Sequence, residues 1–360
     1  MEAAQGATDP SVDVVIVAYG QEPLLGHAVS SVLSDPNVAA VYIWDNGFEG
    51  TIPQDAAGRP IHVLGTGTNL GFSEGCDRAA NAGSAPFIVF LNSDAVVEPG
   101  AIGAIIAPLR QEEIGLTTGL VTLFDQPDQV NAAGNPVHIS LLSWAGGFGD
   151  DVSDHQTAIE PASVSGAFFA VSRQLWVELG GFWSEHFAYG EDVELSLRCL
   201  QSGRKVLLVP EAVARHNYEF SRNSLKLYLL ERNRWINIFT LYDGKTLTVW
   251  SPILLLFEAG VIASALREKW LGKKLAAISW CIANRKKIAA RRRAIRSSLP
   301  ADHLNFVSKL EAEIHLSDRV EQSIPPWVNR LFGWYARRVA HHLPAYASLE
   351  QKKQPALREP

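Results

Sequence analysis

The chain has 360 residues, 47% hydrophobic and 19% charged, which suits one large α/β domain with a smaller appendage and excludes a disordered chain. The formal charge of -6 conceals an asymmetry. Arg267 to Arg296 holds eleven Lys/Arg against Glu268 alone, leaving 21 basic and 37 acidic side chains elsewhere.

Val12 to Tyr19 is β-branched and nearly continuous, as in a strand buried on both faces of a parallel sheet. A helix is expected over 23–33, with Leu24, Ala28 and Val32 on one face. Strands follow at Val38–Trp44 and Ile61–Leu64, a helix at Ser73–Ala82, and a strand at Phe87–Leu91. This alternation is that of doubly wound α/β folds. Residues 120–160 are rich in Gly, Asn, Asp and Pro and predict a long irregular excursion. Regularity returns at Ser163–Val171. A helix is expected over 172–179, stopping at Gly180-Gly181, and another opens near Glu191 and ends at Gly203. Lys205–Val209 is the last predicted strand. Beyond Asn223 the pattern is helical.

Three cysteines without CxxC spacing argue against a disulfide framework or structural zinc and for a reducing cytoplasm. Met1–Pro10 lacks the apolar run of a secretory signal.

In open α/β sheets ligands bind beyond the carboxyl ends of the strands. Polar clusters stand at four such places: Asp45-Asn46, Asn69-Leu70-Gly71-Phe72, Asn92-Ser93-Asp94, and Glu191-Asp192. His216 follows the last strand. An acid in the loop after a core strand can hold a hard divalent cation through oxygen, and such a cation neutralises a departing diphosphate. Each cluster has a plainer reading. Asn92-Ser93-Asp94 can be an Asx turn before a helix near Pro99. Glu191-Asp192 can merely favour a helix dipole. A lone His is often an ordinary packed residue.

Taken in order, VDVVIVAYG at 12–20, DNG at 45–47, NLGFSEG at 69–75, LNSD at 91–94, SGAFFAVSR at 165–173, GGF at 180–182, YGEDVELSLR at 189–198 and RH at 215–216 resemble the family-2 glycosyltransferases, and most of all the rhamnosyltransferase-type members. The resemblance covers residues 12 to 240. It implies a GT-A fold: α/β, with a doubly wound, mostly parallel sheet and, here, a C-terminal helical extension. With the helical pattern that begins beyond Asn223, the expected division is a catalytic domain at 11–222 and a helical region at 223–345, between a disordered N-terminus (1–10) and a flexible tail (346–360).

The resemblance also implies the chemistry. Asp94 matches the metal ligand of the DxD-type motif, whose first position here is Asn92, and His216 matches a second ligand for Mg2+ or Mn2+. Asp192 of the ED motif matches the general base that deprotonates the acceptor hydroxyl, with Glu191 beside it. Asp45 matches the acid that contacts the nucleotide base. Ala18, Tyr19, Asn69, Gly71, Phe72, Asn92, Ser93 and Gly166 complete the expected nucleotide-sugar contacts. Asp77 stands where Asn is common, and Trp183 where Asp is common. Arg222, Arg232 and Arg234 are placed either to reach a diphosphate or on the solvated face of a helix.

Leu247–Ala265 holds thirteen apolar residues and one charged residue, Glu258, among nineteen. That length meets the threshold for a membrane span, although Pro252 and Glu258 favour a buried or interfacial helix. The basic run that follows interleaves Trp270, Leu271, Leu275, Ile278 and Trp280. Residues 246–296 thus predict docking on an anionic membrane surface, with a helical hairpin packed on the catalytic domain or a contact between copies of the chain as alternatives. No nucleic-acid module accompanies the basic run.

The resulting expectation is an inverting glycosyltransferase on the inner membrane face. It moves a sugar, rhamnose from dTDP-rhamnose, to a glycan or polyprenyl-linked acceptor in cell-surface polysaccharide synthesis. A UDP-sugar donor such as UDP-galactofuranose, a nucleotidyltransferase, and a catalytically silent nucleotide-sugar-binding subunit are the alternatives. The nucleotidyltransferase lacks its Gly-rich basic loop at Tyr19-Gly20-Gln21-Glu22.

Overall fold

The computed structural model describes residues 11–53, 58–218, 223–298, 305–317, 324–339 and 342–343. The expected N-terminus 1–10, the tail 346–360 and Arg222 lie outside the described residues.

A nine-stranded mixed sheet, mostly parallel, forms the body. Its strands are β1 (Val12–Gly20), β2 (Val38–Phe48), β3 (Ile61–Gly65), β4 (Phe87–Leu91), β5 (Ala95–Val97), β6 (Ile114–Leu123), β7 (Gln126–Ala132), β8 (Phe168–Ser172) and β9 (Lys205–His216). The order is β3-β2-β1-β4-β8-β6-β9-β5, with β7 paired to β6. The block β3-β2-β1-β4 is parallel, β8 runs antiparallel to both neighbours, β9 is parallel to β6, and β5 runs antiparallel to β9.

The continuous apolar run of β1 is explained by helices on both faces. Val15 and Val17 pack with Cys76, Ala79 and Ala80 of α2 (Phe72–Ala82). Val14 and Ile16 pack with Leu25, Ala28 and Val29 of α1 (Leu25–Leu33). The two-residue period of the strand divides one sequence between two cores. Helix α3 (Ala101–Ile106) lies on the α1 face, whereas α4 (Arg173–Leu179) and α5 (Glu191–Gln201) join the α2 face.

Three boundaries differ from the sequence reading. β2 continues to Phe48 and β9 to His216, so Asp45, Asn46 and His216 sit within strand ends rather than after them. The hairpin β6–β7 occupies the start of the expected irregular stretch. Its two core threonines disguise the apolar pattern of β6. Thr117 Oγ1 donates to Ile105 O at 2.7 Å and Thr118 Oγ1 to Phe168 O at 3.2 Å, which lets both be buried. From Ala133 to Ala167 the chain is irregular except for one 3-10 turn at Val152–His155.

The C-terminal helices are α6 (Ser224–Leu241), α7 (Gly244–Arg267), α8 (Leu271–Ala283), α9 (Arg285–Ser297) and α10 (Pro326–Val339). Asn223 and Asp243 cap the first two, accepting from Lys226 N and Thr246 N, each at 2.7 Å. Ile238, Leu241, Tyr242, Trp250, Phe257, Phe306 and Phe332 belong to the same apolar core as Phe90, Phe169 and Leu197, so the core is continuous across residue 222.

Four of the eleven basic side chains of the run, Arg267, Lys274, Lys287 and Arg291, meet acids of the molecule itself. Lys274 is buried between Glu231 and Glu258, and Arg234 contacts the same two carboxylates. Lys287 reaches Glu185 at 2.6 Å and Arg291 reaches Glu194 at 2.8 Å. Among the described residues, Lys269, Lys273, Arg285, Lys286, Arg292, Arg293 and Arg296 form no ion pair.

Candidate active site

At the carboxyl end of β2, Asp45 Oδ1 accepts from the backbone N–H of Gly47 at 3.0 Å and of Phe48 at 2.9 Å. That turn leaves Oδ2 facing Gly67, where an added Cβ would stand 3.8 Å away. Next door, Gly65 has φ +95° and a Cβ there would lie 2.6 Å from Asp45 O, so a side chain is excluded beside the acid. Tyr19, 61% exposed at the end of β1, borders the same shelf, close to Gly47. Ala18 pairs with Asp45 in register, but its side chain is wholly buried in the core. Only its backbone belongs to the strand end.

The 69–72 turn is tied to this shelf from below. Asn46, buried, accepts from Leu70 N at 2.6 Å, and Asn69 accepts from Gly71 N at 2.9 Å. Gly71 has φ +87°, and a Cβ there would meet Phe187 O at 2.5 Å. Phe187 O in turn accepts from Ser73 N at 3.0 Å. Glycine is therefore needed for both conformation and close approach. Gly71 itself is buried, and the Phe72 ring packs 6.3 Å from that of Phe182, toward the core. Of this motif, Asn69 is the exposed member.

Pairing of β5 with β9 sets Ala95 opposite His216. The turn before it, closed by Ala95 N donating to Asn92 O at 3.1 Å, places Asp94 against the His216 ring. Asp94 Oδ1 lies 3.1 Å from His216 Nε2. The other ring nitrogen, Nδ1, lies 3.1 Å from Asn131 Oδ1, a contact that anchors the ring. With Nδ1 held by Asn131, the ring presents its Nε2 edge to the Asp94 carboxylate. A carboxylate oxygen and an imidazole nitrogen brought to one point suit a divalent cation. Asn92 Nδ2 also approaches Nε2, at 3.4 Å, and Ser93 is half-buried between the two. Among the described residues no group of three or more His, Cys, Asp or Glu side chains is gathered for a metal. A cation held by Asp94 and His216 would therefore need further oxygen ligands from water or a bound ligand.

Asp192 and Glu191 open α5 after Gly190 but point to different places. Asp192 Oδ1 accepts from Val193 N at 2.8 Å, and the Gly166 amide also donates to this carboxylate. A Cβ at Gly166 would stand an ordinary 3.5 Å from Asp192 Oδ2, so glycine is not required there by space. Glu191 turns inward, 5% exposed, and its Oε2 has no hydrogen-bond partner. Burial, then the Asp192 charge, pushes its carboxyl up to about 8, so it is held protonated. Burial raises Asp192 as well, against the backbone amides that favour its charged form. Burial outweighs the opposing effect of the helix terminus.

Further along α5, Glu194 is fully buried. Burial alone would raise its carboxyl, but Arg198 and Arg291 hold it at about 2. The cations suggested for a diphosphate are otherwise engaged. Arg232 donates to Glu185 O and His186 O and stacks on Trp280, and Arg234 belongs to the Glu231–Glu258–Lys274 cluster. Asp77 faces Gly181, its carboxyl raised to about 6 by burial and then Glu74. Trp183 carries the Arg291 guanidinium 5.7 Å above its ring. Asn131, Tyr189, Tyr218 and Lys226 line the same region and escape the sequence reading: Tyr189 opens the YGEDVELSLR stretch without a role of its own, and the other three lie outside the motifs.

The family model for glycosyltransferase-like family 2 matches residues 10–237, more than half of the chain. The chain belongs to that family. This family-2 glycosyltransferase is 28% identical over 230 residues to the N-acetylglucosaminyl-diphospho-decaprenol L-rhamnosyltransferase of Mycobacterium tuberculosis, covering 57% of this chain and 75% of that protein. It is 26% identical over 147 residues to the O-antigen chain rhamnosyltransferase WbaN of Salmonella anatum, covering 39% of this chain and 44% of that one. The crystal structure of GalNAc-T7 with UDP, GalNAc and Mn2+ superposes with a TM-score of 0.51 at 15% identity, over 66% of this chain. The glycosyltransferase spans about half the length of that protein, 50%, and shares its GT-A fold.

Proposed function

We propose that this glycosyltransferase moves rhamnose, with inversion, from dTDP-rhamnose to a glycan or polyprenyl-linked acceptor in cell-surface polysaccharide synthesis. The observation that carries the reading is the opposition of Asp94 Oδ1 and His216 Nε2 at 3.1 Å, with the imidazole ring anchored by Asn131. The rhamnosyltransferase names of two relatives support the choice of sugar.

Asp94 and His216 would hold Mg2+ or Mn2+. When bound, the ion neutralises charge on the departing diphosphate. Asp45 and Tyr19 receive the nucleoside, with Asn69, Asn92 and Ser93 along the donor's path. Asp192 accepts the acceptor hydroxyl's proton as that oxygen bonds to the anomeric carbon and the bond to the diphosphate oxygen breaks. Its raised pKa makes it a stronger base than an ordinary aspartate. Glu191, protonated, keeps a second negative charge away from it.

The enzyme works peripherally on the cytoplasmic face of the membrane, docking through 246–296. Exposed Leu255, Ile262, Leu266, Leu275 and Ile282, with the unpaired lysines beside them, support this. α10 extends the surface: Trp327 and Trp334 are exposed there, and Tyr335 Oη donates to Val249 O of α7 at 2.9 Å. Among the described residues α7 is the one helix long and apolar enough to cross a membrane. Its Glu258 is locked to Arg234 and Lys274 inside the protein, which favours docking over spanning.

The test is a screen of nucleotide sugars for a metal-dependent rise in Tm, followed by product analysis. dTDP-rhamnose at about a hundred times its Kd stabilises by about 2.7 kcal/mol. If no nucleotide sugar shifts the transition with either metal, the reading fails.

A further inference from the structure

Lys226, on the first turn of α6, sits between two tyrosines. Its Nζ is 5.4 Å from the Tyr189 ring centroid and 5.5 Å from that of Tyr218. The Tyr218 ring packs on His216 with centroids 5.8 Å apart. Tyr189 immediately precedes Gly190, which caps the helix that opens with Glu191 and Asp192. The lysine therefore lies where the Asp94–His216 side of the site and the Asp192 side meet.

Among the described residues the ammonium has no carboxylate partner. It is half-buried, and burial alone lowers its pKa. An unpaired, partly desolvated cation is costly unless an anion joins it, and ring faces hold it in place without neutralising it. Both tyrosines are more than a third exposed, at 37% and 38%, so the cage is open to a ligand. The neighbouring cations cannot substitute, since Arg232 and Arg234 are fixed to partners of their own.

We infer that Lys226 binds the diphosphate of the donor, contacting the phosphate nearer the sugar and stabilising the negative charge left on it as the glycosidic bond breaks. The inference rests on the nucleotide-sugar reading above. No proton passes to or from Lys226; it acts as a fixed charge, aimed where charge develops. The reaction then has a cation on either side of the leaving group: the divalent ion at Asp94–His216 and the ammonium from α6.

Calorimetric titration of dTDP and dTMP, with UDP and UMP in parallel, into wild type, Lys226→Met and Lys226→Arg tests it, in EDTA and in Mg2+. Lys226→Met should weaken the diphosphate about tenfold or more in EDTA, change the monophosphate far less, and leave the ligand-free Tm unaltered. Lys226→Arg should restore most of the diphosphate affinity. Equal affinity of Lys226→Met and wild type for the diphosphate, or equal losses for diphosphate and monophosphate, overturns the inference alone. A wild type that binds neither diphosphate overturns the nucleotide-sugar reading with it.

Discussion

Arg291 of α9 donates from Nε to Glu194 Oε1 of α5 at 2.9 Å, tying the basic C-terminal run to the helix that carries Asp192. Glu194 is fully buried, and Arg198 on its own helix supplies the second cation. Arg291→Met leaves the carboxylate with Arg198 alone and should destabilise the protein by about 2 kcal/mol, less than removal of a sole partner. The folded pKa of Glu194 is depressed to about 2, so its contribution is present above the ordinary carboxylate value and is lost as pH falls. Urea unfolding at pH 7 and pH 4 checks both parts. An unchanged midpoint at pH 7 would show that the pair contributes nothing.

Glu191 carries the opposite sign. Its folded pKa is raised from 4.5 to about 8, so the unfolded chain ionises first and stability falls as pH rises through that window. The slope due to this group reaches about 1.4 kcal/mol per pH unit at most. Glu191→Gln keeps the shape without the proton and should flatten the curve between those limits, giving a variant more stable than wild type at pH 8. Stability measured against pH decides it; parallel curves for the two proteins would rule the buried proton out.

Asn131 touches no proposed substrate, yet it anchors the His216 ring from its Nδ1 side. Asn131→Ala should reduce metal affinity by about 10–100-fold, as loss of a partner behind a ligand generally does. Titration of Mn2+ by paramagnetic relaxation reads this directly. Asp94→Asn should abolish the same signal, and a wild-type response in either variant counts against the site.

Asp192→Asn removes the proton acceptor while keeping two of its backbone contacts in reach. Transfer should drop by about a hundredfold to ten-thousandfold in kcat, with the donor's Kd within twofold of wild type. Retention of near-normal turnover would falsify the assignment of Asp192 as base.

The first half of the fold was legible because β1, β2 and β4 are buried on both faces and write that as unbroken apolar runs. β4 begins and ends where the sequence placed it, at Phe87 and Leu91. β6 was missed because Thr117 and Thr118 satisfy their hydroxyls inside the core, a tertiary solution that leaves no local trace. The order of Asp45, Asp94, Asp192 and His216 could be read from motifs. Which way each points could not: Glu191 and Asp192 are adjacent in sequence, but one turns to the interior and the other to Gly166. Asn131 matters through His216, 85 residues away, and Lys226 through Tyr189 as well as nearby Tyr218, so spacing carried no sign of either. The basic run looked like free charge, and Glu185, Glu194, Glu231 and Glu258 were too distant in sequence to suggest its partners.

The core that runs unbroken past residue 222 has a consequence for how such an enzyme can change over time. A chain ending there would strand Glu194 without Arg291 and open the apolar bed beneath Trp250 and Phe332. The C-terminal helices therefore cannot be exchanged wholesale between relatives as an independent cassette. New acceptors have to be reached by substitution on the outer faces of these helices, while their inner faces stay inherited together with the sheet.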